Sequence, residues 1–441
     1  MNISNYSTAN TKKKILFLSI PVFFANIAIP LVGLVDTGLM GNLGETKFIA
    51  ATSIGASIVT MLVWSFGFFR MGTVGIVAQL FAKSDYREII RTLLRNFLIA
   101  IIISILIIIF KPLIIHLTGK FFVTSIETSN LIKTYISIRI LSVPAEFIIY
   151  ILIGFYLGIQ KTNISSFMII VLSVLNIILS TIFVLTLGLN VLGVALGSFI
   201  ASYLTAIIFA FFTYKFIIKQ FQIIPTFQKI IAPTKFLRLI TINFNLFLRT
   251  LILTFSFLWI SYLGTKLGED FLAVNTILMQ FIILSAFLLD AYAYTAEGIV
   301  GYSVGKKNKK SFFLAVKNSI ELSFISAVVL SILYLIFFKQ IINIITDIEI
   351  LRYISYKYAI WIIIIPPVAS FCYQLDGIFI GASQTSDMRN ATIFASITFI
   401  VLSIYSTKYF DNHGLWLSLL LFMILRSLSL TFLIDKITKR L

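Results

Sequence analysis

Four carboxylates lie where a carboxylate is costly to keep. Asp36 is deep in the apolar stretch Pro30-Leu-Val-Gly-Leu-Val-Asp36-Thr37-Gly38. Asp290 and Glu297 belong to Leu289-Asp290-Ala-Tyr292-Ala-Tyr-Thr-Ala-Glu297, and Asp376 to Gln374-Leu-Asp376-Gly377. A carboxylate inside hydrocarbon needs water, a cationic partner or a proton, which makes each a candidate for ion or substrate chemistry. Burial favours the protonated form of such a group and a nearby cation favours the ionised form. Asp36 is therefore suited to carry H⁺ or Na⁺. Asn26, ten residues earlier, offers an amide from the same helix, and Pro30 removes a backbone hydrogen bond and permits a bend there.

Asp290 and Glu297 are seven residues apart, which places them on one face of a helix. Arg249 is expected to be the counter-ion of one intramembrane acid and Arg70 of another, the pairing being left open. Arg139 and Glu146, also seven apart, and Glu321 read as structural pairs or snorkelling groups before functional ones. Asn176, Gln280 and Gln374 are intramembrane amides, as suited to joining helices as to contacting substrate. Phe is abundant at 43 residues, and aromatics total 15%. A cavity lined by Trp64, Tyr292, Tyr294 or Tyr373 beside carboxylates suits bulky organic cations, through apolar contact and cation–π attraction.

Other chemistries find no residues. The chain lacks a G-x-x-x-x-G-K-[ST] phosphate loop, so it is not itself an ATPase. His116 and His413 form no ligand cluster with each other, no Ser/His/Asp set can be assembled inside the membrane, and the single Cys372 excludes an internal disulfide. The expectation is a protein that is not an enzyme, holds no cofactor or resident metal, and draws on an H⁺ or Na⁺ gradient, with Na⁺ at Asp36 the one metal considered.

The elements that must position these groups are membrane helices. Hydrophobic residues make up 59% of the 441, charged residues 12%, and the mean hydropathy is +1.03. The apolar segments are continuous and near the roughly 20 residues that cross a bilayer as helix. Twelve spans are predicted: 15–41, 48–81, 96–118, 132–158, 164–188, 191–214, 237–263, 271–302, 312–338, 353–381, 390–408 and 414–434. An even number puts both termini on one side. That side carries 22 Lys and Arg against 9 on the other, which places both termini in the cytoplasm. The formal charge of +18 is thus a topology signal, with contacts to anionic lipid, rather than a nucleic-acid footprint. Lys12–Lys14 precede an apolar stretch without an A-x-A-like cleavage site, so the first helix reads as retained.

A spacing of 223 residues recurs along the chain. Phe48, Gly75, Ile76 and Val77 reappear as Phe271, Gly298, Ile299 and Val300, and Tyr135, Pro144, Gly154, Gly158 and Thr162 as Tyr358, Pro367, Gly377, Gly381 and Thr385. Leu43-Gly44-Glu45 matches Leu267-Gly268-Glu269 one residue later, at 224. A duplicated bundle is a common construction of secondary transporters, with substrate bound between the halves. The division predicted is an N-terminal lobe over 1–214, a cytoplasmic linker over 215–236 and a C-terminal lobe over 237–441.

Several motifs together resemble the multidrug and toxic compound extrusion (MATE) family, in its DinF-like branch. They are Gly33-Leu-Val-Asp36-Thr37, Phe66-Gly-Phe-Phe-Arg70-Met-Gly72-Thr73, the Leu289–Glu297 stretch, Phe247-Leu-Arg249-Thr250, Asp376-Gly-Ile-Phe-Ile-Gly381-Ala and Met388-Arg389-Asn390-Ala391. The resemblance implies twelve helices in two pseudo-symmetric six-helix lobes forming a V, and export of organic, often cationic, compounds against H⁺ or Na⁺. It assigns cation coupling to Asp36 and a bend in the first helix to its protonation. The family commonly has an aspartate four residues after the asparagine matching Asn176, whereas this chain has Ser180. Asp36 is then expected to act with Asn176, Ser180 or water, unless coupling shifts toward Asp376 and Arg249.

The reading that follows is an inner-membrane, multi-pass antiporter exporting amphipathic or cationic organic compounds by alternating access, without nucleic acid or an obligatory protein partner. A lipid-linked precursor flippase of the same wider superfamily is the nearest rival. It would want a basic cavity for pyrophosphate, whereas Arg70, Arg139 and Arg249 are set against Asp36, Asp290, Glu297 and Asp376. A channel and a scaffold are the rivals from other classes. The first fits a duplication with asymmetric carboxylates less well, and the second leaves the buried charges unexplained.

Overall fold

The computed structural model describes residues 12–122, 125–223, 230 and 232–441. The protein is 91% helical, with no strand among the described residues. Inside hydrocarbon the backbone must satisfy its own hydrogen bonds, and for continuously apolar segments the helix is the structure that does so. The helices are α1 (Lys12–Gly41), α2 (Thr46–Ser65), α3 (Phe68–Ala82), α4 (Tyr86–Ile109), α5 (Lys111–Phe121), α6 (Ile126–Arg139), α7 (Val143–Gly158), α8 (Thr162–Thr181), α9 (Asn190–Phe216), α10 (Pro233–Leu267), α11 (Glu269–Gly305), α12 (Lys309–Ile345), α13 (Glu349–Lys357), α14 (Ala359–Gly381) and α15 (Thr385–Thr438). Among the described residues, eleven stretches are long and apolar enough to cross a membrane. One of them, α15, has 54 residues and leaves helical geometry at Phe410 and Asp411, so it makes two crossings and the total is twelve.

Several predicted spans are subdivided. The second is α2 and α3, interrupted at Phe66–Gly67, and the fourth is α6 and α7 joined by a 3₁₀ turn at Ile140–Ser142. The eleventh and twelfth are the two arms of α15. They meet without an intervening loop because Asp411 adopts φ 49°, and Gly414 lets the returning arm approach Ser406, whose carbonyl oxygen would lie 2.1 Å from an added Cβ.

The chain divides into two compact units, one of residues up to Phe23 with Thr241–Leu441 and the other of Phe24–Ile240. The start of α1 is held in the first of these by an ion pair from Lys12 to Glu321 and by Ser19 donating to Thr295 at 3.0 Å. The predicted linker 215–236 falls partly outside the described residues. Its described end is tied to α4, where Arg95 Nε donates to the Ile230 carbonyl at 2.6 Å and Lys235 meets Glu88 at 2.9 Å. Arg95 also pairs with Glu88, at 2.7 Å.

The repeat is visible in the backbone of both units. Gly154 on α7 presses against α3, where an added Cβ would lie 2.5 Å from the Arg70 carbonyl oxygen. Gly377 on α14 presses against α11, 2.7 Å from that of Ala293, and both residues of this contact stand 223 positions after those of the first. Only glycine permits such close helix approach. The left-handed positions recur as well: Ser84 and Lys307, Gln160 and Ser383, Gly188 and Asp411, all at the same spacing. Asp85 caps α4 through the Glu88 N–H as Asn308 caps α12 through that of Ser311. A single-residue slip would destroy these coincidences, so they fix the register of the duplication.

Aromatic packing fills each unit separately. Phe66, Phe68, Phe69 and Phe147 pack ring to ring in the 24–240 unit, with centroids 4.6–5.7 Å apart. Phe281, Tyr334, Phe338, Phe399, Trp416 and Phe422 belong to the core of the other. Outward-facing Phe17, Leu34, Leu185, Leu335 and Phe432 are exposed, as expected for a protein whose solvent is lipid.

Candidate functional site

In the 24–240 unit, three helices bring polar side chains to Asp36. The carboxylate of α1 is buried, and its Oδ1 has no hydrogen-bond partner among the described residues. The Ser180 hydroxyl, from the last turn of α8, is close enough to act on the carboxyl group electrostatically. Ser180 also donates to Asn176 Oδ1 at 3.2 Å, one helical turn earlier, and Asn176 Nδ2 donates to Ser198 Oγ of α9 at 2.9 Å. The hydrogen-bonded chain Ser180–Asn176–Ser198 thus links α8 to α9. It depends on Gly197, since a Cβ there would lie 2.6 Å from Ser180 Oγ.

The nearby cation is already committed. Arg139 Nη1 contacts Glu146 at 2.6 Å and Ser142 at 2.5 Å, and Ser142 in turn reaches Glu146 at 2.6 Å. Residues 139, 142 and 146, spaced by three and seven, fall on one side where α6 runs through the 3₁₀ turn into α7. Arg139 and Tyr135 are close enough to act on Asp36 electrostatically, but Arg139 has its own carboxylate. Gly55 of α2 leaves room for the Tyr135 ring, whose Cδ1 would be 2.5 Å from an added Cβ.

The other unit holds a different arrangement. Asp376 of α14 accepts through Oδ2 from two guanidinium groups, Arg249 of α10 and Arg426 of α15, the latter at 2.5 Å. All three are buried. Asp376 Oδ1 and the Nε atoms of both arginines have no hydrogen-bond partner among the described residues. Arg426 lies over the Phe422 ring, 5.3 Å from its centroid. Tyr373 and Asp290 are in electrostatic range of this cluster, and Asp290 is half-buried on α11. Two cations on one carboxylate make Asp376 a counter-ion that ties three helices together.

The remaining candidates are placed apart. Asn26 is buried on the same uninterrupted helix as Asp36, but ten residues correspond to about 15 Å of rise, so the two do not meet. Pro30 lies within that helix, which is continuous from Lys12 to Gly41. Glu297 is buried on α11 and its backbone carbonyl packs under Gly381. Arg70 is buried on α3, in the unit that does not contain Arg249 and Asp376. Tyr292 bonds Ser326 at 2.9 Å, Gln374 donates to the Leu289 carbonyl and to Ser323, each at 3.2 Å, and Trp64 is exposed. Among the described residues no group of His, Cys, Asp and Glu could hold a metal ion.

Two participants were not singled out in the sequence. Arg426 is an ionisable residue inside the final apolar segment, the same signal that marked the four acids. Ser198 carries no such signal, because a serine in a membrane helix most often bonds its own backbone.

The MatE family model matches residues 21–182 and again 242–405. DNA damage-inducible protein F of Escherichia coli (strain K12) is 33% identical over 421 residues, covering 96% of this chain and 91% of that protein. Multidrug export protein MepA of Staphylococcus saprophyticus subsp. saprophyticus is 24% identical over 257 residues, or 56% of this chain and 54% of that one. Two solved structures superpose with TM-scores of 0.88, each covering 97% of this chain and 96% of theirs: a MOP superfamily transporter from Pyrococcus furiosus Vc1, at 18% identity, and a MATE protein in a straight conformation, at 17%. At those identities they show the fold alone. Two successive family matches fall on the two halves of the sequence repeat, and the E. coli relative spans nearly the whole chain. The chain is a multi-pass membrane transporter and belongs to the MATE family.

Proposed function

We propose that this transporter is an antiporter that exports amphipathic or cationic organic compounds in exchange for H⁺, or Na⁺, by alternating access in the inner membrane, with both termini in the cytoplasm. The observation that carries the reading is Asp36: a buried carboxylate on a membrane helix, one oxygen of which has no partner among the described residues, beside a cation, Arg139, that is committed to Glu146. Such a group is stable when neutralised by an ion from outside the protein. Asp376 differs, because two arginines neutralise it internally. Three arginines that a pyrophosphate-binding flippase could use are committed to protein carboxylates: Arg139 to Glu146, and Arg249 and Arg426 to Asp376. That supports organic cations over anionic lipid precursors.

The experiment is export of a fluorescent organic cation from proteoliposomes under an imposed pH or Na⁺ gradient. Wild type is expected to respond to one gradient and Asp36→Asn to neither. Gradient-driven export that persists at the wild-type rate in Asp36→Asn would overturn the assignment.

A further inference from the structure

We propose that His413 and Trp361 form an acid-sensitive latch between the start of α14 and the second arm of α15, on the outer side of the membrane. The latch takes only its outer placement from the proposed topology and does not need Asp36 to carry the driving ion.

Trp361 stands in the first turn of α14, and its Nε1 donates to His413 Nδ1 at 3.0 Å. His413 follows Asp411 by two residues, just past the break that turns the chain into the second arm. Tyr358, immediately before α14, lays its ring against the imidazole, with centroids 4.5 Å apart. His413 is exposed, Trp361 half-buried and Tyr358 buried, so water and protons reach the pair while its base is fixed.

An indole N–H can only donate, so Nδ1 must offer a lone pair and His413 must be the neutral imidazole with its proton on Nε2. The imidazolium carries a proton on both nitrogens. Two donors then face each other and the bond to Trp361 is lost. Imidazoles change charge within about pH 5–8, so the latch is closed above that range and opens as the pH falls through it. The opened ring keeps Tyr358, whose aromatic face attracts a cation.

The charged groups of the surrounding elements leave this exchange to Trp361. Asp411 is exposed on the same arm, acts electrostatically on Tyr358, and is the nearest carboxylate in sequence to receive an imidazolium. Lys408 is near the end of the first arm, and Lys357 lies over the Tyr353 ring at 4.4 Å. Glu269 and Asp270 open α11, which reaches this end of α15 through the Asn275–Asn412 pair. The other repeat lacks the device: 223 residues earlier, Tyr358 has its counterpart in Tyr135, but Trp361 and His413 correspond to Ile138 and Asn190. The same two elements, α14 and the second arm of α15, are joined further along by Asp376 and Arg426. The latch therefore governs their outer end, which loosens when the outside is acid, the condition that drives proton entry.

The test begins with full-length protein in nanodiscs, isotope-labelled in tryptophan and histidine for nitrogen NMR. With four Trp and two His in the chain, Trp361→Phe and His116→Gln assign the signals. The Trp361 indole signal is expected to shift with the same pH midpoint as the His413 imidazole. His413→Asn puts a non-titrating acceptor in place of Nδ1 and is expected to hold the indole signal constant. Near pH 5 its Trp361 indole proton should exchange with water about fivefold more slowly than that of wild type. In proteoliposomes, organic-cation export by His413→Asn is expected to be about threefold slower than wild type at an external pH of about 5, and equal at about pH 8. Trp361→Phe, which has no N–H to donate, should do the reverse: equal near pH 5 and about threefold faster near pH 8. An indole signal that stays still while the His413 imidazole titrates would overturn the latch, as would export rates that match wild type in both variants. A response to internal instead of external pH would overturn its placement. The NMR titration is read without a gradient, so failure of the Asp36 assignment leaves its outcome standing.

Discussion

Ser180 in α8 and Ser403 in α15 occupy the same place in the two repeats but bond different partners: Ser180 donates to Asn176 Oδ1 at 3.2 Å, whereas Ser403 accepts from Trp259 Nε1 of α10 at 3.0 Å. The serine has been kept through the duplication while its hydrogen bonding has diverged. One copy donates within its own helix and the other accepts across to α10. Divergence of this kind makes a duplicated bundle functionally asymmetric although its backbone remains repetitive.

The glycine contacts should be the least tolerant positions of the bundle. Gly377→Val puts a side chain where even a Cβ lies 2.7 Å from the Ala293 carbonyl, and Gly154→Val does the same against Arg70. Each is expected to cost about 1–3 kcal/mol or more, as overpacking does. Gly119→Ala on α5, where an added Cβ meets nothing within 4 Å, is the control. Thermal midpoints of the detergent-purified variants should fall for the first two and hold for the third.

The Arg249–Asp376–Arg426 cluster should behave as one unit. Asp376→Asn leaves two buried guanidinium groups without a carboxylate and is expected to destabilise by about 3–5 kcal/mol. Adding Arg426→Met to Asp376→Asn removes one of the stranded cations and should recover part of that loss. Stabilities of the singles and the double, measured by thermal unfolding, test this. Strict additivity would show that the three side chains are not coupled.

Asn275 and Asn412 form a reciprocal amide pair, at 2.7 and 2.9 Å, and Trp416 Nε1 also donates to Asn275 Oδ1 at 2.9 Å. This joins α11 to the second arm of α15 directly beside the break at Phe410 and Asp411. Asn412→Ala is expected to cost about 2–3 kcal/mol, because it strands buried groups of Asn275. A lower thermal midpoint, with Asn412→Asp also lowered because it loses the donor, is the outcome to look for.

Much of the architecture was legible in the sequence for a physical reason. Helices in lipid follow from local hydropathy, and a gene duplication leaves glycines at constant spacing because close backbone approach tolerates no other residue. Gly154 and Gly377 carried that signal and make the contacts it implied. The site was legible as a set of residue types, since an intramembrane charge is conspicuous wherever it packs. The partnerships were not. Arg249 meets Asp376 from 127 residues away, and Arg426 joins them from the last segment. Pairing across helices depends on which faces turn toward each other, and that is a tertiary property. Asn26 illustrates the opposite error: sharing a helix with Asp36 kept it some three turns away. The gap 409–413 between the last two predicted spans is the break at Phe410 and Asp411, and the left-handed φ of 49° that turns the chain there is a backbone property that hydropathy does not carry.

The central claim is that Asp36 carries the ion that drives export. The most direct measurement traps a pH-sensitive dye inside sodium-free proteoliposomes and follows proton movement when an organic cation is supplied. Wild type is predicted to move protons opposite to the organic cation, in step with its flux, and Asp36→Asn to move none. Equal coupled proton movement in Asp36→Asn and wild type would contradict the account.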